Sequence, residues 1–542
     1  MTSTAKTETR QPATARSAER VLGLGPVWIA AALYAAVTGA ILIAAAHAAG
    51  GHFAYPLDDT YIGMAIAKNL AWHGVWGVTR YSFSSSDSSI LMPLLLAGAY
   101  RLVGTGVFAP LALSWIFGLL SIFVAGPILA RFLSAKGQMA ALIAFVLLPP
   151  LFLVGVLGME HSLHLLLTLL FLEYFFDEPA ESGRAWRIGV VTALMVGARY
   201  EGLFFAAPAC AILLLERRWK PALAVGVGAA IPVGAYAAFS IAHGGAWLPN
   251  SVALKGAHVH RSLFGMAETM ADMAAKNVHD GAMHLILLLA GLAVAATALL
   301  PKARRRAIPL ILVVLAGCCH LLTAKVGVLF RYEDYLIGAG IVCAACALPA
   351  LRQTGRRVPF LLTYCLLLAA GGALAMRSLV AAVNLPVSSR NIYLQQVQMA
   401  RFLHDEFPRG TIAANDIGAI DYFNNDLHLF DLVGLASRDV FEARRAGRYT
   451  TEYIRNEAAA HHVQIAIVYD AWFANPPPGT MGGPALPGTW VRVERWKLPK
   501  GPTVGDLTVS FYAVDPAEAA PLRNALAQFD PTLPKNVTTM PN

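Results

Sequence analysis

Charge is what this 542-residue sequence has least of: Asp, Glu, Lys and Arg make up 14% of it, against roughly 25% in a soluble domain. With 57% hydrophobic residues and a mean hydropathy of +0.55, the deficit excludes an ordinary soluble globular protein. Cysteine is scarce as well. The six present (Cys210, Cys318, Cys319, Cys343, Cys346 and Cys365) all fall in apolar runs, and none follows Cys365, which excludes a disulfide framework. Cys343 and Cys346 have C-x-x-C spacing, but a redox or zinc pair needs a polar, accessible setting, so they read as packing residues. The net charge of +9 does not imply nucleic acid, because the Lys and Arg residues sit in short loops between apolar runs, which is the positive-inside pattern.

What is present instead is a series of runs near the ~18 apolar residues that a bilayer span needs. They are Val27–Ala48, Val107–Ala130, Met139–Leu157, Ser162–Phe176, Pro221–Ala242, Met283–Leu300, Ala307–Leu322, Tyr335–Leu351 and Pro359–Leu379. Ser89–Val103 is marginal in length, and Ile188–Leu215 is interrupted by Arg199-Tyr200-Glu201-Gly202. If the first does not cross and the second is a broken hairpin, every basic loop and the N-terminus fall on the cytoplasmic side. The same choice sends Tyr55–Ser89, Gly158–His161, Arg199–Gly202, the loop His243–Asp280 and Lys325–Asp334 to the opposite face. Ionisable residues at membrane depth usually mark function, and their convergence on one face predicts a site there. The expected architecture is a polytopic α-helical membrane protein of about 9–11 spans. It comprises an unstructured cytoplasmic segment 1–25, a membrane domain 26–381 with an outer loop 51–106, and a soluble α/β domain 382–542 on the extracytoplasmic side of the cell membrane. In the last, Gly410–Asn415, Leu427–Val433, Val463–Tyr469, Trp490–Trp496 and Leu507–Val514 read as strands, and Asn391–Phe407 and Thr450–His461 as helices.

Chemistry concentrates after the first span, in Tyr55-Pro56-Leu57-Asp58-Asp59-Thr60-Tyr61. Two carboxylates at a helix start can serve merely as caps. They can also act as a general base toward a hydroxyl, with Asp58 the base and Asp59 orienting it, and two adjacent acids suit a divalent cation.

From here the sequence resembles membrane glycosyltransferases of the GT-C class, which use polyprenyl-phosphate sugars as donors. The resemblance rests on motifs in order: Asp58-Asp59-Thr60-Tyr61-Ile62; the Ser-rich Ser84–Ser89 followed by Leu91-Met92-Pro93-Leu94; Gly158-Met159-Glu160; Arg199-Tyr200-Glu201-Gly202; Leu248-Pro249-Asn250-Ser251 with Lys255; Phe330-Arg331-Tyr332; and, in the tail, Asp416–Ile420 with Asp431–Leu435. The tail pair looks like the subgroup that includes cell-wall arabinofuranosyltransferases. Two departures stand out. Gly63-Met64-Ala65 carries no Arg where the family often has one, with Lys68 a substitute further on, and the Ser-rich stretch lacks its Trp. The resemblance implies transfer of a sugar to a hydroxyl of an envelope glycan or lipid by single displacement.

A departing phosphate needs fixed cations, and Lys255, Arg331, Arg199 and Lys68 are the candidates. Tyr61, Glu160, His161, Glu201, Asn250 and Tyr332 are expected beside the substrates. Expected partners are the lipid-linked donor, the acceptor and membrane lipids, and no nucleic acid. Two other readings fit the same residues: a transporter or flippase of a lipid-linked glycan, since broken helices with buried charges also mark transporters, and a non-catalytic assembly subunit that uses its tail to bind a partner.

Overall fold

The computed structural model describes residues 13–176, 185–255, 263–280, 291, 304–327, 329–353, 357–473, 481–502 and 505–542. Helix α1 (Ala13–Ala48) starts inside the segment expected to be unstructured, and residues 1–12 lie outside the described residues. It leads to α2 (Asp59–His73), α3 (Leu91–Val103) and α4 (Phe108–Ala130). At 13 residues and 1.5 Å of rise each, α3 spans about 20 Å, short of ~30 Å of hydrocarbon. The run read as one span over Met139–Leu157 is two helices, α5 (Ala135–Leu147) and α6 (Leu151–Val154). Pro149-Pro150 divides them, because proline removes the amide that would continue the ladder. Helix α7 is His161–Phe176, α8 is Ala185–Ala198 and α9 is Leu203–Leu215.

Helices α8 and α9 are the two arms of a broken hairpin whose tip is Arg199, in extended conformation at φ −154°, ψ 141°. Both arms lean on α10 (Trp219–Ala242). A Cβ on Gly228 would stand 2.2 Å from the Gly189 carbonyl, a close small-residue crossing of the kind membrane helices use. The segment read as a loop over His243–Asp280 contains α11 (Asn250–Lys255) and α12 (Leu263–Asp280). The run Met283–Leu300 lies outside the described residues apart from Gly291. Then follow α13 (Arg304–Thr323), α14 (Asp334–Gln353) and α15 (Arg357–Ile392). Among the described residues, four helical segments are long and apolar enough to cross a membrane, beginning at Gly25, Phe108, Trp219 and Thr363, and seven shorter apolar helices accompany them. The chain is a multi-pass membrane protein.

The last span does not end where a boundary near 382 was expected. Helix α15 runs through a π turn at Tyr393–Val397 into α16 (Gln398–Glu406). Phe402 and Leu403 of α16 sit in the same buried core as Trp496 and Phe511 of the C-terminal sheet. That sheet has the order β2-β1-β3-β5-β4-β6. Strands β1 (Thr411–Ala414), β2 (His428–Asp431) and β3 (Ile465–Val468) are parallel. Strands β4 (Val491–Lys497), β5 (Thr508–Ala513) and β6 (Thr538–Pro541) complete it antiparallel. The sequence showed the first five strands and missed β6, a four-residue strand that ends on Pro541 and follows Pro534 closely. Helices α17 (Gly418–Phe423), α18 (Arg438–Arg445), α19 (Thr451–Ala460) and α20 (Ala519–Phe529) flank the sheet. Tyr55, Tyr61, Met64 and Trp76 of segment 51–106 belong to the same core as Ile412, Ile420 and Phe511. That segment and the C-terminal domain are therefore one packed unit.

Candidate active site

The first polar groups to place are those of α2, whose two faces have different neighbours. Asp58, at the start of α2, makes no side-chain cap to that helix. It caps another. Its Oδ2 accepts from Gly418 N at 2.6 Å and its Oδ1 from Ala419 N at 2.8 Å, the first amides of α17. Only glycine fits at 418, since a Cβ would stand 2.2 Å from the Asp58 carbonyl oxygen. Burial, then the neighbouring Asp416 carboxyl, raises the Asp58 pKa. Burial raises that of Asp416 too, and the two share a proton through a side-chain hydrogen bond. Gln396 Nε2 (2.8 Å) and the Tyr469 hydroxyl (2.7 Å) fix Asp416 from behind.

Lys68 lies at the other end of α17, donating to the carbonyls of Asp421 (3.2 Å) and Tyr422 (2.5 Å), with its pKa lowered to about 8 by burial. A carboxylate at the N-terminus and an ammonium at the C-terminus complement the α17 dipole. The expectations of Asp58 as base and Lys68 as phosphate ligand therefore meet side chains already engaged by the C-terminal domain. Tyr61 goes the same way: its hydroxyl accepts from Tyr55 N at 3.1 Å and its ring packs 5.7 Å from Phe423.

Asp59, one residue on, points about 100° around the helix. It is a third exposed (35%) and pairs with Arg331 Nη2 at 2.5 Å. Arg331 is buried; it also donates to the Tyr332 hydroxyl at 3.1 Å and approaches Met159 Sδ at 3.4 Å. Its Nε is buried with no partner among the described residues. The turn that presents it carries two successive non-glycine residues in the left-handed region, Leu329 at φ 55° and Phe330 at φ 60°. Such backbone is costly and persists where its surroundings hold it.

The Gly158-Met159-Glu160 turn needs its glycine: φ is +69°, and a Cβ would stand 2.5 Å from the Tyr55 ring. Glu160 pairs with Arg199 Nη1, and Glu201 takes the other edge through Nη2 (2.6 Å) and Nε (3.2 Å). Arg199 is thus held by two carboxylates, the partnership that a buried guanidinium needs. His161 lies edge-on to the Tyr332 ring at 6.0 Å. Asn250 is a joint between segments: its amide nitrogen donates to Ser85 O (2.8 Å) and its Nδ2 to Leu435 O (3.1 Å). Lys255 ends α11, and its side chain lies outside the described residues.

Sequence reasoning missed Asp87. Four of the serines around it are tied down. Ser84 N donates to Trp76 O (2.9 Å), Ser85 Oγ pairs with the Tyr236 hydroxyl (2.6 Å), Ser86 Oγ donates to Leu435 O (3.0 Å), and Ser89 Oγ accepts from Met92 N (3.0 Å). Asp87 Oδ1 accepts from Ser89 N at 2.9 Å. Its carboxyl lines a small pocket with Asp59, Glu160, Gly63, Met159 and Pro93. Burial, then the Glu160 charge, pushes its pKa to about 7. The available signal was an acid set inside an unbroken run of serines opposite a glycine.

Asp58 and Asp59 have different protein partners. Asp439, Glu457 and His461 approach each other with ligand-like spacing on the C-terminal domain, but Asp439 and His461 are exposed. An apolar cavity of about 480 Å³ lies among α5, α13, α14 and α15, walled by residues such as Ala141, Leu310, Ile341 and Leu374, with His320 and Glu333 among its lining. Glu333 is two residues from Arg331.

Residues 390–512 match a domain family described as a domain of unknown function, DUF8728. No curated protein matches the sequence. Solved structures do match the fold. ArnT from Cupriavidus metallidurans, bound to undecaprenyl phosphate, is 12% identical and aligns over 91% of this chain and 99% of its own at a TM-score of 0.50. The arabinofuranosyltransferase AftD from Mycobacteria is 13% identical over 89% of this chain and 40% of its own, at 0.44. AglB from Archaeoglobus fulgidus, an oligosaccharyltransferase in complex with an inhibitory peptide and a dolichol-phosphate, is 12% identical over 94% and 76%, at 0.46. All three are GT-C glycosyltransferases, and on the ArnT match this chain has the GT-C fold with a C-terminal domain built on a mixed sheet.

Proposed function

We propose that the chain is a glycosyltransferase that moves a sugar from a polyprenyl-phosphate donor to an acceptor hydroxyl on the extracytoplasmic face. The observation that carries this reading is the Asp59–Arg331 pair, a buried guanidinium with an unpartnered Nε; an apolar cavity whose lining includes Glu333, two residues along the chain, suits an isoprenoid chain. ArnT, whose fold this chain shares, binds undecaprenyl phosphate.

As the acceptor oxygen attacks the anomeric carbon, the C–O bond to phosphate breaks and negative charge grows on the phosphate. Arg331 meets it with a fixed charge that needs no reorganisation. Asp59 and Tyr332 hold that guanidinium in place. The Glu160–Arg199–Glu201 triad braces the opposite wall.

The test is turnover of undecaprenyl-phosphate-linked pentoses and hexoses by the protein in lipid nanodiscs, followed as undecaprenyl phosphate released. Arg331→Gln should lower kcat by about 10²–10³-fold, as loss of a preorganised charge does. Lipid movement across the bilayer with no bond broken would replace this reading with a flippase.

A further inference from the structure

We propose that Asp87 is the general base that takes the proton from the acceptor hydroxyl. The inference rests on the transferase reading above and names the residue that does its proton chemistry.

Each other acid of the site is accounted for. Asp58 is sealed against α17 by two amides. Asp59 is ion-paired with Arg331 at 2.5 Å, and a carboxylate bound to a guanidinium is a weak base. Glu160 and Glu201 share Arg199. Asp87 has no cation bound to it among the described residues, yet it faces the same pocket as Asp59 and Glu160. The charged and titratable groups around it are Glu160 on the turn before α7, Arg199 at the hairpin tip, Asp59 on α2 and the Tyr236 hydroxyl on α10.

Its geometry fits the task. One oxygen is anchored by Ser89 N, and the other lies 3.0 Å from where a Gly63 Cβ would be, so the absent side chain at 63 leaves the room that Oδ2 faces. The serine scaffold makes the carboxyl a fixed group on a loop that would otherwise move. The titration agrees: a carboxyl whose pKa is about 7 is ionised above neutrality and still basic enough to accept a hydroxyl proton in the transition state. The step balances. The acceptor O–H proton passes to Asp87 Oδ2, the acceptor oxygen bonds to the anomeric carbon, and the C–O bond to phosphate breaks with its electron pair leaving on polyprenyl phosphate. Asp87 returns the proton to water once the product leaves.

The experiment uses the full chain in nanodiscs, with undecaprenyl-phosphate arabinose and undecaprenyl-phosphate mannose as probes and undecaprenyl phosphate release as the readout between pH 5 and 9. In the wild type, kcat should rise tenfold per unit at low pH and level off with a midpoint near 7. Asp87→Asn should lower kcat by about 10²–10⁴-fold, leave KM for the lipid within threefold, and abolish the limb near 7, while Asp87→Glu restores part of it. Asp59→Asn should lower kcat but keep the limb. A limb that survives in Asp87→Asn, or a loss confined to KM, overturns the assignment while leaving the transferase reading intact. A wild-type profile flat from pH 6 to 8 overturns it without any variant. No release from either lipid by the wild type counts instead against the transferase reading.

Discussion

The two faces of α2 carry acids adjacent in sequence and opposite in task. Toward the C-terminal domain, Asp58 and Lys68 grip both ends of α17. Toward the membrane domain, Asp59 and Gly63 look onto Arg331 and Asp87. The difference teaches that an acidic pair is not a chemical unit on a helix: a 100° step separates a residue that holds α17 from one that pairs with Arg331. It also makes α2 the shared wall through which the C-terminal domain positions the site.

The sharpest way to break this comparison is to exchange the effects of the two acids. Asp59→Asn should cut turnover about 10²-fold, as removal of one partner from a preorganised pair does, and leave thermal unfolding nearly unchanged because Asp59 is a third exposed. Asp58→Asn should do the reverse. One Asp58 oxygen becomes an N–H donor facing an amide N–H, which costs about 1–3 kcal/mol, read as a lower Tm and faster proteolysis between outer loop and C-terminal domain. Equal losses of turnover at equal stability would merge the two faces into one site.

Gly418→Ala tests the same face from the far side. Its Cβ would stand 2.2 Å from backbone rather than from a flexible side-chain tip, so α17 must move off α2. The cost should fall near 1–3 kcal/mol, as for other overpacked sites. If Tm is unchanged, α17 does not sit against α2 as described.

The pH dependence of docking follows from the same carboxyls. Burial raises the folded-state pKa of Asp58 and of Asp416 above the unfolded value. The folded protein therefore binds more protons than the unfolded chain between those values, and stability contributed by the pair is lost as pH rises. Docking should be tightest in mild acid, the opposite direction to the activity limb assigned to Asp87. Tm that climbs with pH from 5 to 8 in the wild type, with the climb lost in Asp416→Asn, would reverse the sign and the argument.

How much of this was legible in the sequence divides along physical lines. Apolar run length and the placement of basic loops sufficed for the helical membrane class and the broken hairpin at Arg199. Alternation exposed β1 to β5. The boundary near 382 has no break in the backbone, because the helix runs on through the π turn at Tyr393–Val397 into α16, which packs on the sheet. The fate of Asp58 was illegible because its partner lies 360 residues away in sequence, at Gly418. Arg199 was a candidate phosphate ligand, and its hydrogen bond to Glu160, 39 residues earlier, is supplied by the fold. Asp87 stood inside the Ser-rich stretch read as a family motif, and that its carboxyl lines a pocket with Asp59 and Glu160 follows from the fold.

The smallest expected effect belongs to Lys68. Replacing it with Met removes two hydrogen bonds to the end of α17 and an ammonium 5.3 Å above the Tyr422 ring. It also removes a desolvated charge, whose cost shows in a pKa lowered to about 8. The two terms oppose each other, so the net loss should be about 0.3–1 kcal/mol at pH 7, the scale of a charge at a helix terminus. Because the buried ammonium neutralises near pH 8, well before a free lysine does, the gap between Lys68→Met and wild type should change between pH 7 and 9 in unfolding scans. A gap that is constant over that range would mean Lys68 is held by packing alone, and the charge match across α17 would have to rest on Asp58.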